Sequence, residues 1–161
     1  MKEISIKFSE RAINDNSFSN TERELFDKAF DICQRAYAPY SNFYVGASIL
    51  LENKLFLAGS NQENSSFPCG ICAERVVLFS AKSTYPDLKI LKIAITTQSK
   101  DFKNTTPAAP CGLCRQVLLE YETKQKHKIE IYLFNKKRVI KFDQAKDLLP
   151  FYFSEDRLKR K

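Results

Sequence analysis

Four of the five cysteines in this chain fall into two C-x-x-C pairs. The first lies in Phe67-Pro68-Cys69-Gly70-Ile71-Cys72-Ala73-Glu74-Arg75 and the second in Pro110-Cys111-Gly112-Leu113-Cys114-Arg115-Gln116. Thiolates at this spacing hold a soft divalent metal, and zinc is the usual choice for sulfur ligands. Four thiolates would close the coordination sphere and make a structural clip. Three would leave a position for water, and Glu74 would then have a chemical role. The two pairs stand well beyond the roughly 15–20 residues that separate the pairs of a common zinc ribbon. That spacing favours the open arrangement over a closed site completed by Cys69.

Both pairs sit where a loop is expected to become a helix, and free N–H groups and the helix dipole stabilise thiolates there. Residues two apart in a regular helix do not share a face. Cys72 and Glu74 therefore converge only if Cys72 lies in the first, unfinished turn, which Pro68 and Gly70 permit. Zinc with three thiolates carries a charge of about −1, which opposes ionisation of bound water. A cation beside the sulfurs restores that acidity. Arg75, one turn from Cys72, or Arg115, next to Cys114, could supply it by hydrogen-bonding the sulfurs.

The elements that must position these groups follow from pattern. Residues 1–19 are polar and read as an extended arm. Thr21 and Glu24 form a capping box ahead of a helix whose buried stripe is Leu25, Ala29, Ile32 and Ala36, ending near Tyr37 before Pro39. Cys33 lies on that stripe as a small core hydrophobe. Residues 44–51 and 55–60 read as a hairpin, 73–83 as a helix, 90–97 as a continuous apolar strand in mid-sheet, and 111–121 as a second metal-bearing helix. Residues 129–134 and 138–142 form a closing strand pair, and Asp143 caps a final short helix. The order predicts a single domain over residues 20–161 behind the arm. Its fold class is α/β: a three-layer α/β/α sandwich with a five-stranded mixed sheet and a parallel crossover between the third and fourth strands.

Length suits one domain with a full core, and no apolar run is long enough to span a membrane. The first residues lack the apolar centre of a signal peptide, so a cytoplasmic location is expected, where paired cysteines serve metal binding rather than disulfides. The net charge of +7 invites nucleic acid, with Lys/Arg clusters at 124–128, 136–138 and 157–161. No aromatic residues interleave those clusters in the manner of a base-stacking surface, which argues for a solvated surface instead. His127, the one histidine, lies in a lysine-rich loop without a partner for metal or nucleophilic chemistry.

A Cys-x-Glu followed by Pro-Cys-x-x-Cys is the signature of zinc nucleobase deaminases. Here it reads Cys72-Ala73-Glu74 and Pro110-Cys111-Gly112-Leu113-Cys114. Three further blocks join it: Tyr40-Ser41-Asn42-Phe43-Tyr44-Val45-Gly46-Ala47, Asn61-Gln62-Glu63-Asn64-Ser65-Ser66-Phe67-Pro68 and Leu148-Leu149-Pro150. From about Tyr37 to Phe153 the chain resembles the small, homotetrameric, three-cysteine cytidine deaminases that act on free nucleosides. The resemblance implies Cys72, Cys111 and Cys114 as zinc ligands and Glu74 as proton shuttle. It implies Asn61 and Glu63 on the ribose 3′-hydroxyl, Phe43 against the base, and the Ala73 backbone at the pyrimidine edge. Phe153 would reach into a neighbouring subunit's site, so that active sites are shared in a homotetramer. Cys69 and the N-terminal arm depart from the family pattern.

Two other readings compete. A polynucleotide deaminase usually begins its motif with His, and its last two strands are usually parallel; the short Asn135–Lys137 link forces an antiparallel pair here. A related enzyme acting on a cytosine-containing antibiotic such as blasticidin S shares the chemistry. A non-catalytic Cys₄ zinc module that binds nucleic acid predicts four sulfur ligands and steep salt dependence.

Overall fold

The computed structural model describes residues 1, 3–155 and 158. The basic cluster at 157–161 lies outside the described residues except for Leu158. Six strands and three helices follow one another as β1 (Ser9–Ala12), α1 (Asn20–Cys33), β2 (Phe43–Leu51), β3 (Phe56–Ser60), α2 (Ala73–Thr84), β4 (Ile90–Ser99), α3 (Gly112–Gln125), β5 (Glu130–Phe134) and β6 (Arg138–Phe142). The strands form one sheet in the order β1-β6-β5-β4-β2-β3. Only β4 and β5 run parallel, joined through α3; every other neighbouring pair is antiparallel. The continuous apolar strand thus occupies mid-sheet, between β2 and β5.

Alternation along the strands divides the core in two, because successive side chains point to opposite faces. Ala47, Ile49 and Leu51 of β2, Ile93 and Ile95 of β4, and Ile131 and Leu133 of β5 pack with Val77, Leu78 and Ala81 of α2 and Leu118 and Leu119 of α3. The intervening Leu50, Ala94, Tyr132 and Phe134 pack instead with Leu25, Phe26 and Ala29 of α1. The result is the three-layer sandwich that the order of elements predicts, with α1 on one face and α2 and α3 on the other.

Four expectations are corrected. The sheet has six strands rather than five, because Ser9–Ala12 within the N-terminal segment pairs antiparallel with β6. All four of its residues are exposed, so backbone hydrogen bonds rather than side-chain burial hold it. The capping box is Ser19 and Glu22, not Thr21 and Glu24, since Glu22 also reaches Lys92 and Tyr132 on the sheet. And α1 ends at Cys33 rather than near Tyr37, because the Tyr37 backbone is drawn into bonds with Asn61 and Glu63. The last short helix is a 3₁₀ turn at Ala145–Leu148 whose N-cap is Gln144 rather than Asp143.

α1 lies close on β2 where Gly46 has no side chain: a Cβ there would sit 2.0 Å from the Ala29 carbonyl oxygen and 2.7 Å from the Cys33 Cβ. On the same face, Lys92 Nζ contacts Glu22 at 3.1 Å and Glu130 at 2.6 Å, and the Tyr132 hydroxyl reaches both carboxylates. Burial would raise the Glu22 pKa, but hydrogen bonds from Tyr132, Ser19 and Lys92 outweigh it and hold the carboxyl down at about 2.

Gly46→Ala is expected to destabilise the fold by at least about 2 kcal/mol in urea denaturation, because the overlap is with backbone that cannot move aside. Glu22 ionises more readily folded than unfolded, so its contribution is full above pH 4.5, its ordinary value, and is lost as pH falls toward 2. Glu22→Gln should therefore lower the urea midpoint at pH 7, with the gap from wild type closing between pH 4.5 and 2.

Candidate active site

The site is assembled at the starts of α2 and α3. Cys72 is the N-cap of α2 (φ −75°, ψ 151°) and Cys111 the N-cap of α3 (φ −66°, ψ 166°). Extended backbone at both caps turns the sulfurs away from the helices they introduce, so Cys72 escapes the facing rule and can share a cavity with Glu74. Cys114 lies in the first turn of α3 and is fully buried. The Sγ atoms of Cys72, Cys111 and Cys114 all lie within 4.8 Å of one another. Cys72 and Cys111 are 3.8 Å apart, and Cys111 and Cys114 are 3.4 Å apart. These separations are far too long for a disulfide, and all three thiols are free. Tetrahedral zinc with Zn–S of about 2.3 Å requires sulfurs about 3.8 Å apart, so the donors fit the metal. Cys69, exposed at the end of the 3₁₀ turn Phe67–Cys69, stands outside this group among the described residues.

The electrostatics suit a cation. A hydrogen bond from Cys114, aided by Arg75 and Cys111, outweighs burial and holds Cys72 down at about 5. The proton given toward Cys72 and the burial of its own sulfur push Cys114 up. Negative charge thus gathers on sulfurs bridged by a thiol proton, the place a divalent ion takes with release of that proton. Arg75 donates to Cys72 Sγ across 3.7 Å, as expected of a residue tuning the sulfurs. Its Nε is buried without a partner. Arg115 turns elsewhere, donating to the carbonyls of Pro110 (2.8 Å) and Leu148 (3.1 Å), so the sulfur contact is made by Arg75 alone of the two.

Beside the sulfurs is a cavity of about 540 Å³. Its lining includes Cys72, Cys111 and Glu74, and also Phe43, Asn61 and Glu63. Glu74, the second residue of α2, is only 4% exposed, and burial raises its carboxyl pKa, with the charge on Cys72 acting in the same direction. Asn61 accepts from Val45 N–H at 2.7 Å and donates to the Phe43 carbonyl at 2.9 Å, which fixes the start of β2 beside the cavity. One amide proton and one lone pair of Asn61 remain for a ligand. Glu63 accepts from the Tyr40 and Ser41 N–H groups and the Ser41 hydroxyl; these bonds outweigh partial burial and hold its carboxyl below the ordinary value. Ala73 is fully buried as the first residue of α2. Phe153 is 70% exposed and outside the cavity lining, its carbonyl accepting from Gln116 at 2.9 Å.

Sequence reasoning did not single out Thr97, Ile95 or Ala108, which complete the cavity wall. Nor did it find Phe102, whose ring stacks on Phe43 with centroids 6.0 Å apart and planes 21° apart. Two threonines closing an apolar strand were the one available signal for Thr97.

Comparison with known proteins agrees with this geometry. Residues 19–127 match the family described as "Cytidine and deoxycytidylate deaminase zinc-binding region". The chain is 36% identical over 126 residues to a cytidine deaminase of Sporosarcina psychrophila, covering 78% of this chain and 85% of that one. A cytidine deaminase of Halalkalibacterium halodurans is 35% identical over 135 residues, covering 82% and 93% respectively. The crystal structure of cytidine deaminase from Burkholderia pseudomallei superposes with a TM-score of 0.68 at 36% identity, over 81% of this chain and 98% of that chain. The fold and the three-sulfur centre define a zinc deaminase. More narrowly, this chain belongs to the cytidine and deoxycytidylate deaminase family.

Cys114→Ala is expected to abolish zinc retention, whereas Cys69→Ala should keep about one zinc per chain. Metal analysis by plasma mass spectrometry after extensive dialysis checks both.

Proposed function

We propose that this chain removes the amino group of cytidine and deoxycytidine by hydrolysis, releasing ammonia and giving uridine and deoxyuridine, a reaction of pyrimidine salvage. The observation that carries this is one cavity lined by Cys72 and Cys111 of the three-sulfur cluster, by the buried carboxylate of Glu74 and by an aromatic wall at Phe43. Cys72, Cys111 and Cys114 would hold the zinc, with Arg75 donating to Cys72. Zinc, when bound there, makes water acidic enough to act as a nucleophile near neutral pH.

The remaining steps fall to the chain's own groups. Glu74 takes a proton from the attacking water and gives it to N3 as oxygen bonds to C4. It then carries a proton to the exocyclic amine, the C4–N bond breaks, and ammonia leaves. Burial keeps the carboxylate out of bulk water, so protons pass between it and substrate. Phe43 packs on the base, the Ala73 backbone faces the pyrimidine edge, and Asn61 and Glu63 use their remaining hydrogen-bonding capacity on the ribose 3′-hydroxyl. Recognition of a free sugar hydroxyl and the antiparallel β5–β6 pair favour a nucleoside over a polynucleotide substrate.

The same reading makes residues 20–161 the catalytic domain and 1–19 an N-terminal arm, in a cytoplasmic homotetramer where Phe153 enters a neighbouring site. The exposure of Phe153, Phe151 and Phe67, at 70%, 80% and 74%, supports assembly. No helix among the described residues is long and apolar enough to cross a membrane.

Ammonia release from cytidine and deoxycytidine, with cytosine, dCMP and a cytosine oligonucleotide as comparisons, tests the proposal. Both nucleosides should turn over and the oligonucleotide should not. Glu74→Gln is expected to retain zinc yet lose at least about 10²-fold in kcat; near-normal turnover with zinc in place would remove the shuttle.

A further inference from the structure

A second cavity, of about 780 Å³, lies on the α1 side of the sheet. Its volume falls within the range of small-molecule sites, roughly 300–1,000 Å³. No sulfur ligand lines it, and neither does Glu74. Its walls come from the N-terminal segment at Ile13, from α1, from the end of β4 and the loop after it, and from the β5–β6 turn.

The lining has a definite chemistry. Phe30 and Phe102 present aromatic surface, 37% and 57% exposed. Arg23, Lys103, Lys136 and Lys137 face a single carboxylate, Asp27. Lys103, Lys136 and Lys137 form no ion pair among the described residues. A ligand matching both features needs a flat ring and several negative charges.

We propose that this cavity binds a nucleoside triphosphate. The base packs on the aromatic side chains, while the phosphates meet the unpaired lysines. The site is coupled to the first cavity by construction. Thr97 lines both. Phe102, in the wall of the second cavity, stacks on Phe43 in the wall of the first. Asn104 donates to the carbonyl and hydroxyl of Thr97 at 2.9 and 3.0 Å, and Asn135 donates to the Asn104 carbonyl at 3.1 Å. An occupant of the second cavity therefore bears on a wall of the first.

Titration calorimetry of the zinc-loaded full chain with CTP, with ATP and with inorganic triphosphate tests this, independently of whether the chain deaminates cytidine. At least one nucleotide should bind saturably at one per chain with Kd below about 0.1 mM. It should bind more tightly than inorganic triphosphate, persist under saturating cytidine, and weaken at least about tenfold in the Lys136→Glu/Lys137→Glu double variant. Those two side chains are exposed and outside the catalytic cavity, so the variant should fold normally. Absence of saturable binding would overturn the proposal. So would displacement by cytidine, undiminished affinity in the double variant, or equal binding of inorganic triphosphate.

Discussion

Everything chemical in this protein depends on two helix N-termini being held face to face. Three sulfurs all within 4.8 Å of one another would repel one another if all were ionised. Without a cation they share protons, one thiol acidified and its buried neighbour held protonated. With a divalent ion the same crowding becomes a binding site. Both cap positions are extended, so the sulfurs need no distortion of the helices behind them. The position of the buried carboxylate follows from the same geometry: Glu74 comes two residues after the Cys72 cap, and the turn that frees the sulfur also sets the carboxyl beside it.

The sheet supplies the rigidity this requires. α2 and α3 rest on one apolar face built from alternate residues of β2, β4 and β5, and the parallel β4–β5 pair brings the start of α3 back beside the start of α2. The opposite face is built differently. There α1 is set by its close approach to β2 at Gly46 and by the Glu22–Lys92–Glu130 ion network with Tyr132 at its centre. One face is thus held by packing and metal chemistry, the other by packing and a pH-sensitive polar cluster.

The elements that bury a face were readable in the sequence. The hairpin, the central strand and the cysteine-bearing helices follow from alternation and from apolar spacing, and the α3 crossover gives the parallel pair its place. β1 was not readable, because a wholly exposed Ser-Glu-Arg-Ala strand carries no side-chain pattern and is held by backbone pairing with β6 and the Glu10–Arg138 ion pair. The N-cap was misplaced by two residues because Ser19-x-x-Glu22 and Thr21-x-x-Glu24 fit the same rule. What decides between them is Glu22's contact with Lys92 and Tyr132, far along the chain. In the site, the two C-x-x-C pairs pointed to a metal, and the family resemblance singled out Cys72, Cys111 and Cys114 with Glu74. The two bonds by which Asn61 fixes the start of β2, the stacking of Phe102 on Phe43, and the second cavity are products of tertiary assembly, and local pattern holds no trace of them.

The central claim is that three sulfurs, and not four, hold the metal. X-ray absorption at the zinc edge counts them directly in wild type and in Cys69→Ala. The account predicts three sulfur neighbours at about 2.3 Å and one lighter atom in both proteins. Four sulfurs in wild type, falling to three when Cys69 is removed, would contradict it and leave a closed metal clip in place of an active site.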